Sequence, residues 1–220
     1  MNIGEPTSLE ALTAAAETRW LVGWTQGPTE PEPIGLRRGA HAPDLVLVDQ
    51  TGVERSLAEF WEERFVLLMF WRHFGCSCGV DRARRLRDEV GEYESAGLRP
   101  VIVTQGEPAR TAEYRTRHGL TCPMLCDPDH RAYRAYGVGH WPVERVLFDA
   151  PAEYWAHPRD LGVSFLESRR EVGRPPVDDP WRAAAEFVIA ADGLVRLSHL
   201  YQHCEDYPDP RVFTTSARLG

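Results

Sequence analysis

The sequence predicts an α/β fold in which a mixed central β-sheet carries helices on both faces. Short apolar runs alternate with helical patterns in the order β-α-β-α-β-α. Residues 65–71 are apolar without interruption, which is typical of a central parallel strand buried on both sides. Near the C-terminus, the Asp192-Gly193 turn separates two β-rich runs and predicts an antiparallel hairpin.

The chain divides into an N-terminal arm and one main domain. Residues 8–20 are rich in Ala, Leu and Glu, and Ser8 is placed to cap a helix there. A proline-rich linker at 28–33 follows this helix. We therefore interpret residues 1–35 as a helical arm with a linker that packs on the domain, and residues 36–220 as the domain itself.

Each element of the domain follows from a local pattern. Apolar β-rich runs predict strands, and apolar residues at helical spacing behind a Ser, Asp or Pro predict helices. In chain order these are strand 45–49, a capped helix at 56–63, strand 65–71, a helix from near Gly79 to 95, strand 100–104, helix 107–117, the short strand 124–125, a helix to Tyr136 with Asp127 as its cap and Pro128 in its first turn, and the hairpin 186–190 and 194–199.

An insertion interrupts this rhythm at about 140–180. Prolines and aromatic residues recur through this stretch, and a short helix is predicted at about 159–170. The insertion separates the early parallel strands from the late hairpin.

The composition excludes several classes of protein. A net charge of −8 leaves no broad positive surface, so nucleic acids and anionic membranes are not expected as partners. The longest apolar run is well short of the roughly 20 residues that a membrane span needs, and the N-terminus lacks a signal-peptide pattern. We therefore expect a cytoplasmic protein. Its five cysteines do not indicate a framework of structural disulfides.

The candidate active site is the motif Cys76-Ser77-Cys78, between a buried strand and a predicted helix. Unpaired backbone N–H groups and the positive end of the helix dipole converge at a helix N-terminus. A thiolate is favoured there, so the pKa of the thiol falls and its reactivity rises. Arg72 and His73 stand close by and are candidates for stabilising the anion.

Three motifs resemble those of a known family. They are the Gly-Ala-His-Ala-Pro-Asp run that begins at Gly39, the run Phe70-Trp-Arg-His-Phe-Gly-Cys-Ser-Cys78, and the segment Cys122-Pro-Met-Leu-Cys-Asp-Pro-Asp129 with the Tyr-Gly-Val that ends at Val138. Together they resemble the peroxiredoxin-like 2 family of the alkyl hydroperoxide reductase/thiol-specific antioxidant superfamily, over roughly residues 36–205. The resemblance implies a thioredoxin-like fold of the peroxiredoxin type and an antioxidant, thiol-dependent oxidoreductase.

The resemblance places Cys76 at the position of the reactive cysteine, whose thiolate attacks a peroxide or a disulfide. His73 is either charged beside Cys76 or bonded to a backbone carbonyl. Cys78 either closes a disulfide with Cys76 or points into the sheet without a role. The other candidates for a resolving cysteine are Cys122, Cys126 and Cys204. A thiol reductant, such as a thioredoxin or a low-molecular-weight thiol, would complete the cycle, and a homodimer is left open.

Departures from the family motif support a different hypothesis. Gly79 stands where relatives carry the second cysteine, and Met69 and His73 stand where peroxiredoxins carry Pro and Thr or Ser. The alternative is a thioredoxin-fold module for binding or assembly without redox turnover. In a third hypothesis, the arm and the insertion build a pocket for a small electrophilic or disulfide-bearing metabolite. No cofactor and no metal are expected, although zinc accepts the ligand types of Cys76, Cys78, Cys204, His73, His199 and His203.

Overall fold

The computed structural model describes residues 8–219, and within them a seven-stranded sheet forms the centre of an α/β fold. The strands are β1 (Val46–Asp49), β2 (Glu54–Ser56), β3 (Phe65–Phe70), β4 (Leu98–Thr104), β5 (Met124–Cys126), β6 (Ala185–Ile189) and β7 (Val195–Leu200). The helices are α1 (Leu9–Gln26), α2 (Ser77–Ser95), α3 (Pro108–Arg117), α4 (Arg131–Ala135), α5 (Val143–Val146), α6 (Pro151–Ala156), α7 (Pro158–Glu171) and α8 (Pro210–Leu219). None of the helices in this part of the chain has the length and apolar character needed to cross a membrane.

Strand β3 is the central element of the sheet. The strand order is β2-β1-β5-β4-β3-β6-β7; β3, β4 and β5 run parallel, and β6 runs antiparallel to β3. Leu68 and Phe70 pack into the core on one face, and Leu67 and Met69 pack into the core on the other. Both faces are covered, which is why this run contains no polar residue. The predicted mixed sheet with helices on both faces is confirmed.

The prediction of a helix at 56–63 is wrong. Ser56 ends β2 and pairs with Val46 of β1, and only a single 3₁₀ turn, Ala58–Phe60, follows it. Asp44 explains the difference, because its Oδ1 accepts hydrogen bonds from Ser56 Oγ at 2.7 Å and from the Ala58 N–H at 3.0 Å. These contacts tie the end of β2 to Asp44, which precedes β1. The Ser56 hydroxyl, which suggested a helix cap, therefore stabilises the β1–β2 hairpin instead.

The helix predicted after Asp127 begins later than expected. Helix α4 starts at Arg131, and Pro128 lies outside it. His130 has a positive φ of 55°, and the turn that it makes brings the helix start back toward Asp127. The Asp127 carboxylate therefore still caps the helix, accepting from the N–H of Arg131 at 2.9 Å and of Ala132 at 2.8 Å.

Helix α1 packs against the insertion through aromatic side chains. Trp24 stacks on Trp181 with 5.3 Å between ring centroids and meets Tyr154 edge-on at 5.5 Å. Both indole N–H groups are satisfied, since Trp24 donates to Pro158 O at 2.9 Å and Trp181 donates to Gly23 O at 2.8 Å. The arm and the insertion thus share one apolar cluster. A domain boundary near residue 35 stays a prediction.

A buried ion pair fixes α2 on the sheet. Arg82 of α2 donates from Nε to Glu186 Oε1 at 2.9 Å, and Tyr201 Oη donates to the same oxygen at 2.6 Å. Arg82 and Glu186 are 4 % and 1 % exposed. Burial opposes the charge on Arg82, but Glu186 outweighs it and raises the pKa of Arg82 above its usual value. The charge pair therefore joins the first turns of α2 to strand β6.

We predict that Glu186→Gln lowers the free energy of unfolding by about 2 kcal/mol, because the buried Arg82 guanidinium then keeps only Glu89 as a countercharge. Urea denaturation followed by circular dichroism measures this change. The control is Asp81→Asn, which breaks an exposed pair with Arg84 and is expected to cost at most about 0.5 kcal/mol. Equal losses in the two variants would contradict a special role for the buried pair.

Candidate active site

The candidate nucleophile lies where the central strand passes into a helix. Strand β3 ends at Phe70, a short loop follows, and Cys76 occupies the N-cap position of α2 with extended backbone angles. The Cys76 N–H donates to His73 O at 3.1 Å, and the Gly79 N–H donates to Cys76 O at 3.1 Å. These bonds close the turn, so the predicted placement of a thiol at a helix N-terminus is what the structure has. A negative charge on sulfur is favoured at this position.

Cys76 and Cys78 are joined by a disulfide, with 5.3 Å between their Cα atoms. Cys76 is half-buried, whereas Cys78 is 7 % exposed. The sequence left open whether Cys78 would close this disulfide or point into the sheet. In the structure Cys78 is bonded to Cys76. The two sulfurs therefore form a pair that accepts two electrons when the disulfide is reduced to thiols.

The loop before Cys76 is held by the insertion. A side chain at Gly75 has no room, because an added Cβ would lie 2.5 Å from Pro176 Cα and would also meet Pro175 O. Arg169 of α7 donates from Nη2 to Gly75 O at 2.8 Å. The insertion therefore restrains the backbone that positions the thiol pair.

Arg72 contacts a cysteine other than Cys76. Its Nη1 lies 2.7 Å from Cys204 Sγ, and its Nη2 donates to Pro180 O at 2.5 Å. The guanidinium also lies over the Trp141 ring, 4.8 Å from the ring centroid. Arg72 is 6 % exposed, so this arrangement is largely shielded from water. The sequence assigned Arg72 to the Cys76 anion, whereas its hydrogen bond to sulfur goes to Cys204.

The four candidate resolving cysteines divide into two groups. The Sγ atoms of Cys76, Cys78 and Cys204 all lie within 4.8 Å of one another. Cys122 and Cys126 are buried and lie outside this cluster, and burial raises the pKa of each thiol to about 11. Their thiolates are scarce at neutral pH, which does not suit a resolving role.

His73 is neutral. Burial and the neighbouring charge of Arg72 lower its pKa to about 3, although Asp179 opposes this shift. Its Nδ1 atom has no hydrogen-bond partner among residues 8–219. This low pKa disfavours an imidazolium beside Cys76, and neither of the two roles considered for His73 is established. His73 is part of the loop itself and lines the larger cavity beside Cys76.

Two cavities meet at the sulfurs. The larger has a volume of about 280 Å³ and opens beside Cys76, with apolar walls formed by Trp20, Trp24, Val146, Leu147 and Phe165. The smaller has a volume of about 20 Å³ and lies beside Cys78, between Tyr201 and Tyr207. Cys204 and Arg72 line both. Cys76 therefore faces the larger cavity and Cys78 the smaller one.

The residues named as zinc ligand types do not assemble into one set. Within residues 8–219, Cys76, Cys78 and Cys204 are brought together, and no histidine joins them. His199 Nε2 is 3.2 Å from Asp206 O, and the His203 ring accepts from the Glu205 N–H at 3.2 Å. The positive guanidinium of Arg72 occupies one side of the thiol cluster, which is unfavourable for a cation.

Sequence reasoning missed several residues that shape this site. Trp20 and Trp24 are four residues apart on α1, and this spacing indicates an aromatic stripe on one face of the helix that packs against other residues. Arg169 and Tyr207 gave none, because their contacts span long stretches of chain. Tyr207 Oη donates to Cys78 O at 2.8 Å and holds the Cys204 segment against α2.

The fold and the thiol pair at the first turn of α2 define a thioredoxin-fold protein with a candidate redox centre. The sequence profile of the AhpC/TSA family matches residues 38–198, which is more than half of the chain. The chain belongs to that family, and the resemblance inferred from its motifs is confirmed at this level.

Individual relatives agree with this assignment. A Mycobacterium tuberculosis protein provisionally named a peroxiredoxin, MT2597, is 32 % identical over 103 residues, which are 47 % of this chain and 65 % of the relative. The thiol-disulfide oxidoreductase ResA of Geobacillus thermodenitrificans is 34 % identical over 118 residues, or 53 % of this chain and 66 % of ResA. The chain thus spans just under two thirds of these relatives. The crystal structure of peroxidoxin BcpB from M. tuberculosis shares the fold, with a TM-score of 0.60, 16 % identity, and coverage of 84 % of this chain and 97 % of BcpB.

We predict that His73 destabilises the folded chain in acid. Its pKa is about 3 when folded and about 6.5 when unfolded. Between these pH values only the unfolded chain takes up the proton. His73 therefore costs no stability above pH 6.5, and the free energy of unfolding falls by a few kcal/mol as the pH drops from 6.5 toward 3. Urea titrations at a series of pH values, with the disulfide intact, measure the slope.

His73→Gln is expected to flatten this slope, because glutamine does not titrate. His203→Gln, at an exposed position, is the control and leaves the slope as in the wild type. A wild-type slope in the His73 variant would contradict a buried neutral histidine.

Proposed function

We propose that the chain is a thiol-dependent peroxidase or disulfide reductase in which Cys76 is the nucleophile and Cys78 resolves the product. The observation that carries this proposal is the Cys76–Cys78 disulfide at the N-terminal end of α2, with Cys76 opening into the larger cavity. Membership of the AhpC/TSA family supports the same chemistry.

The reaction balances with a peroxide and two thiols. Cys76 thiolate attacks the peroxide, the O–O bond breaks, the leaving oxygen departs as an alcohol or water, and Cys76 becomes a sulfenic acid. Cys78 then displaces the sulfenic oxygen, which leaves as water, and the disulfide forms. Two thiols of a reductant, such as a thioredoxin or a low-molecular-weight thiol, supply the two electrons that reopen it.

The walls of the larger cavity favour an apolar substrate. Trp20, Trp24 and Phe165 face each other at centroid distances of 4.8 to 5.9 Å, and all three line the cavity that contains Cys76. A bulky organic hydroperoxide or disulfide gains burial there that hydrogen peroxide cannot. This is consistent with the earlier hypothesis of a pocket built by the arm and the insertion.

The alternative of a binding module without redox turnover is less well supported, because such a module has no use for paired sulfurs beside a cavity. A cytoplasmic location and a homodimer remain predictions. Cell fractionation and sedimentation equilibrium are the measurements that address them.

We predict that Cys76→Ser abolishes reductant-dependent consumption of hydroperoxide and of a small disulfide. A serine hydroxyl at neutral pH carries almost no anion and cannot form the sulfenic acid. The assay follows substrate loss with dithiothreitol or thioredoxin as reductant. Cys122→Ala, which removes a thiol outside the cluster, is the control and retains activity. Full activity in the Cys76 variant would contradict the proposal. No activity in the wild type would favour the alternative of a binding module without redox turnover.

We also predict that Phe165→Ala lowers kcat/KM for cumene hydroperoxide by about fivefold while changing it little for hydrogen peroxide. The variant removes apolar wall area, worth about 1 kcal/mol when a ring packs on it. Phe165 is 43 % exposed, so its removal should not unfold the chain. Phe148→Ala is the matched control, because Phe148 is 70 % exposed and lies outside the cavity lining. The same loss for both substrates would argue against apolar selection.

A further inference from the structure

The segment that carries Cys204 is fastened over the thiol pair at both of its ends. At one end, the Trp141 indole N–H donates to Tyr201 O at 3.1 Å. At the other end, Tyr207 Oη donates to Cys78 O at 2.8 Å. Cys204 lies between these anchors, with its sulfur within 4.8 Å of both Cys76 Sγ and Cys78 Sγ. Its position beside the pair is therefore a result of specific contacts made by residues distant in sequence.

Arg72 presents a cationic donor to the sulfur of Cys204. Its guanidinium reaches the Cys204 sulfur at 2.7 Å while Pro180 O and the Trp141 ring hold it in place. A hydrogen bond from a cationic donor is stronger when the sulfur is a thiolate. The thiolate is the form that attacks a disulfide. Cys204 is thus the free thiol that lies both within reach of the Cys76–Cys78 disulfide and against a buried cation.

We propose that Cys204 is a third redox-active cysteine that receives the disulfide from the Cys76–Cys78 pair. The proposal rests on the proposed function in one respect, which is that the pair cycles between thiols and disulfide. The exchange conserves electrons. Cys204 thiolate attacks Cys78 Sγ, a Cys78–Cys204 bond forms, the Cys76–Cys78 bond breaks, and Cys76 leaves as a thiolate. No oxidant, reductant or net proton is required.

The direction of attack follows from the leaving group. Exchange is faster when the departing thiol has the lower pKa. Cys76 lies at the N-cap of α2, where the helix dipole and free N–H groups favour its anion. Cys78 lies inside the first turn and shares the smaller cavity with Cys204. A disulfide bond is about 2.0 Å long, so the Cys204 sulfur has to approach by at most about 3 Å from its present position.

The exchange changes which residues carry the oxidised bond. Cys76 returns to the larger cavity as a free thiolate, while the bond moves to Cys204 in a segment whose residues Gln202, His203 and Glu205 are exposed. Cys204 also lines the larger cavity, but the reductant can now reach the disulfide from the exposed side of this segment.

The test oxidises reduced, full-length protein with one equivalent of diamide, which forms disulfides without peroxide. Free thiols are then blocked with N-ethylmaleimide, and tryptic peptides are analysed by mass spectrometry. Cys76 and Cys78 share the peptide 73–82, whereas Cys204 lies in the peptide 197–211. We expect a cross-link between these peptides through Cys78 and Cys204, with the maleimide on Cys76. Cys204→Ser should lose both the cross-link and the Cys76 label.

Two further variants keep the result interpretable. Cys76→Ser should form the Cys78–Cys204 bond directly on diamide treatment, and Cys122→Ala should behave as the wild type. Circular dichroism confirms that each variant is folded. The proposal is overturned if, among the three clustered cysteines, the folded wild type carries the maleimide on Cys204 rather than on Cys76. It is also overturned if the cross-link joins Cys76 instead of Cys78, or if the Cys76 variant forms no cross-link. Loss of peroxide consumption alone would overturn the proposed function and leave the exchange intact.

Discussion

The ion pair between Arg82 and Glu186 is the constraint on which the arrangement of the sulfurs depends. Arg82 lies one helical turn after Cys78, so its bond to strand β6 prevents the N-terminal end of α2 from sliding over the sheet. Glu186 also accepts from Tyr201, the first residue of the Cys204 segment. One carboxylate thereby fixes both the helix that carries the thiol pair and the segment that carries the third thiol. Its burial makes this link strong, because water does not compete for the charges.

The surroundings of Cys76 come from three separate parts of the chain. The sheet and α2 provide the turn that presents the sulfur. The insertion provides the contacts at Gly75 that restrain this turn. Helix α1 provides Trp20 and Trp24, which close the cavity on its far side. The aromatic cluster shared by α1 and the insertion means that the last two act as one wall.

Local patterns in the sequence were sufficient for most of the fold and for the placement of Cys76. The uninterrupted apolar run at 65–71 and the Asp192-Gly193 turn are short-range signals, and both elements formed as predicted. The helix at 56–63 failed because strand pairing with β1 overrode a local capping pattern, and α8 was missed although Phe213 and Ala217 lie four residues apart on it. The Arg72–Cys204 contact spans 132 residues, and no periodicity encodes it.

The separation of the cavity wall from the sulfur-bearing turn has an evolutionary consequence. Substitutions on α1 or at Phe165 alter what fits beside Cys76 while leaving the backbone of β3 and α2 unchanged. The fit of a molecule beside Cys76 can thus change among related sequences while the turn itself is kept. Exchange of the whole 140–180 stretch is different, because Arg169 and Pro176 in that stretch restrain Gly75.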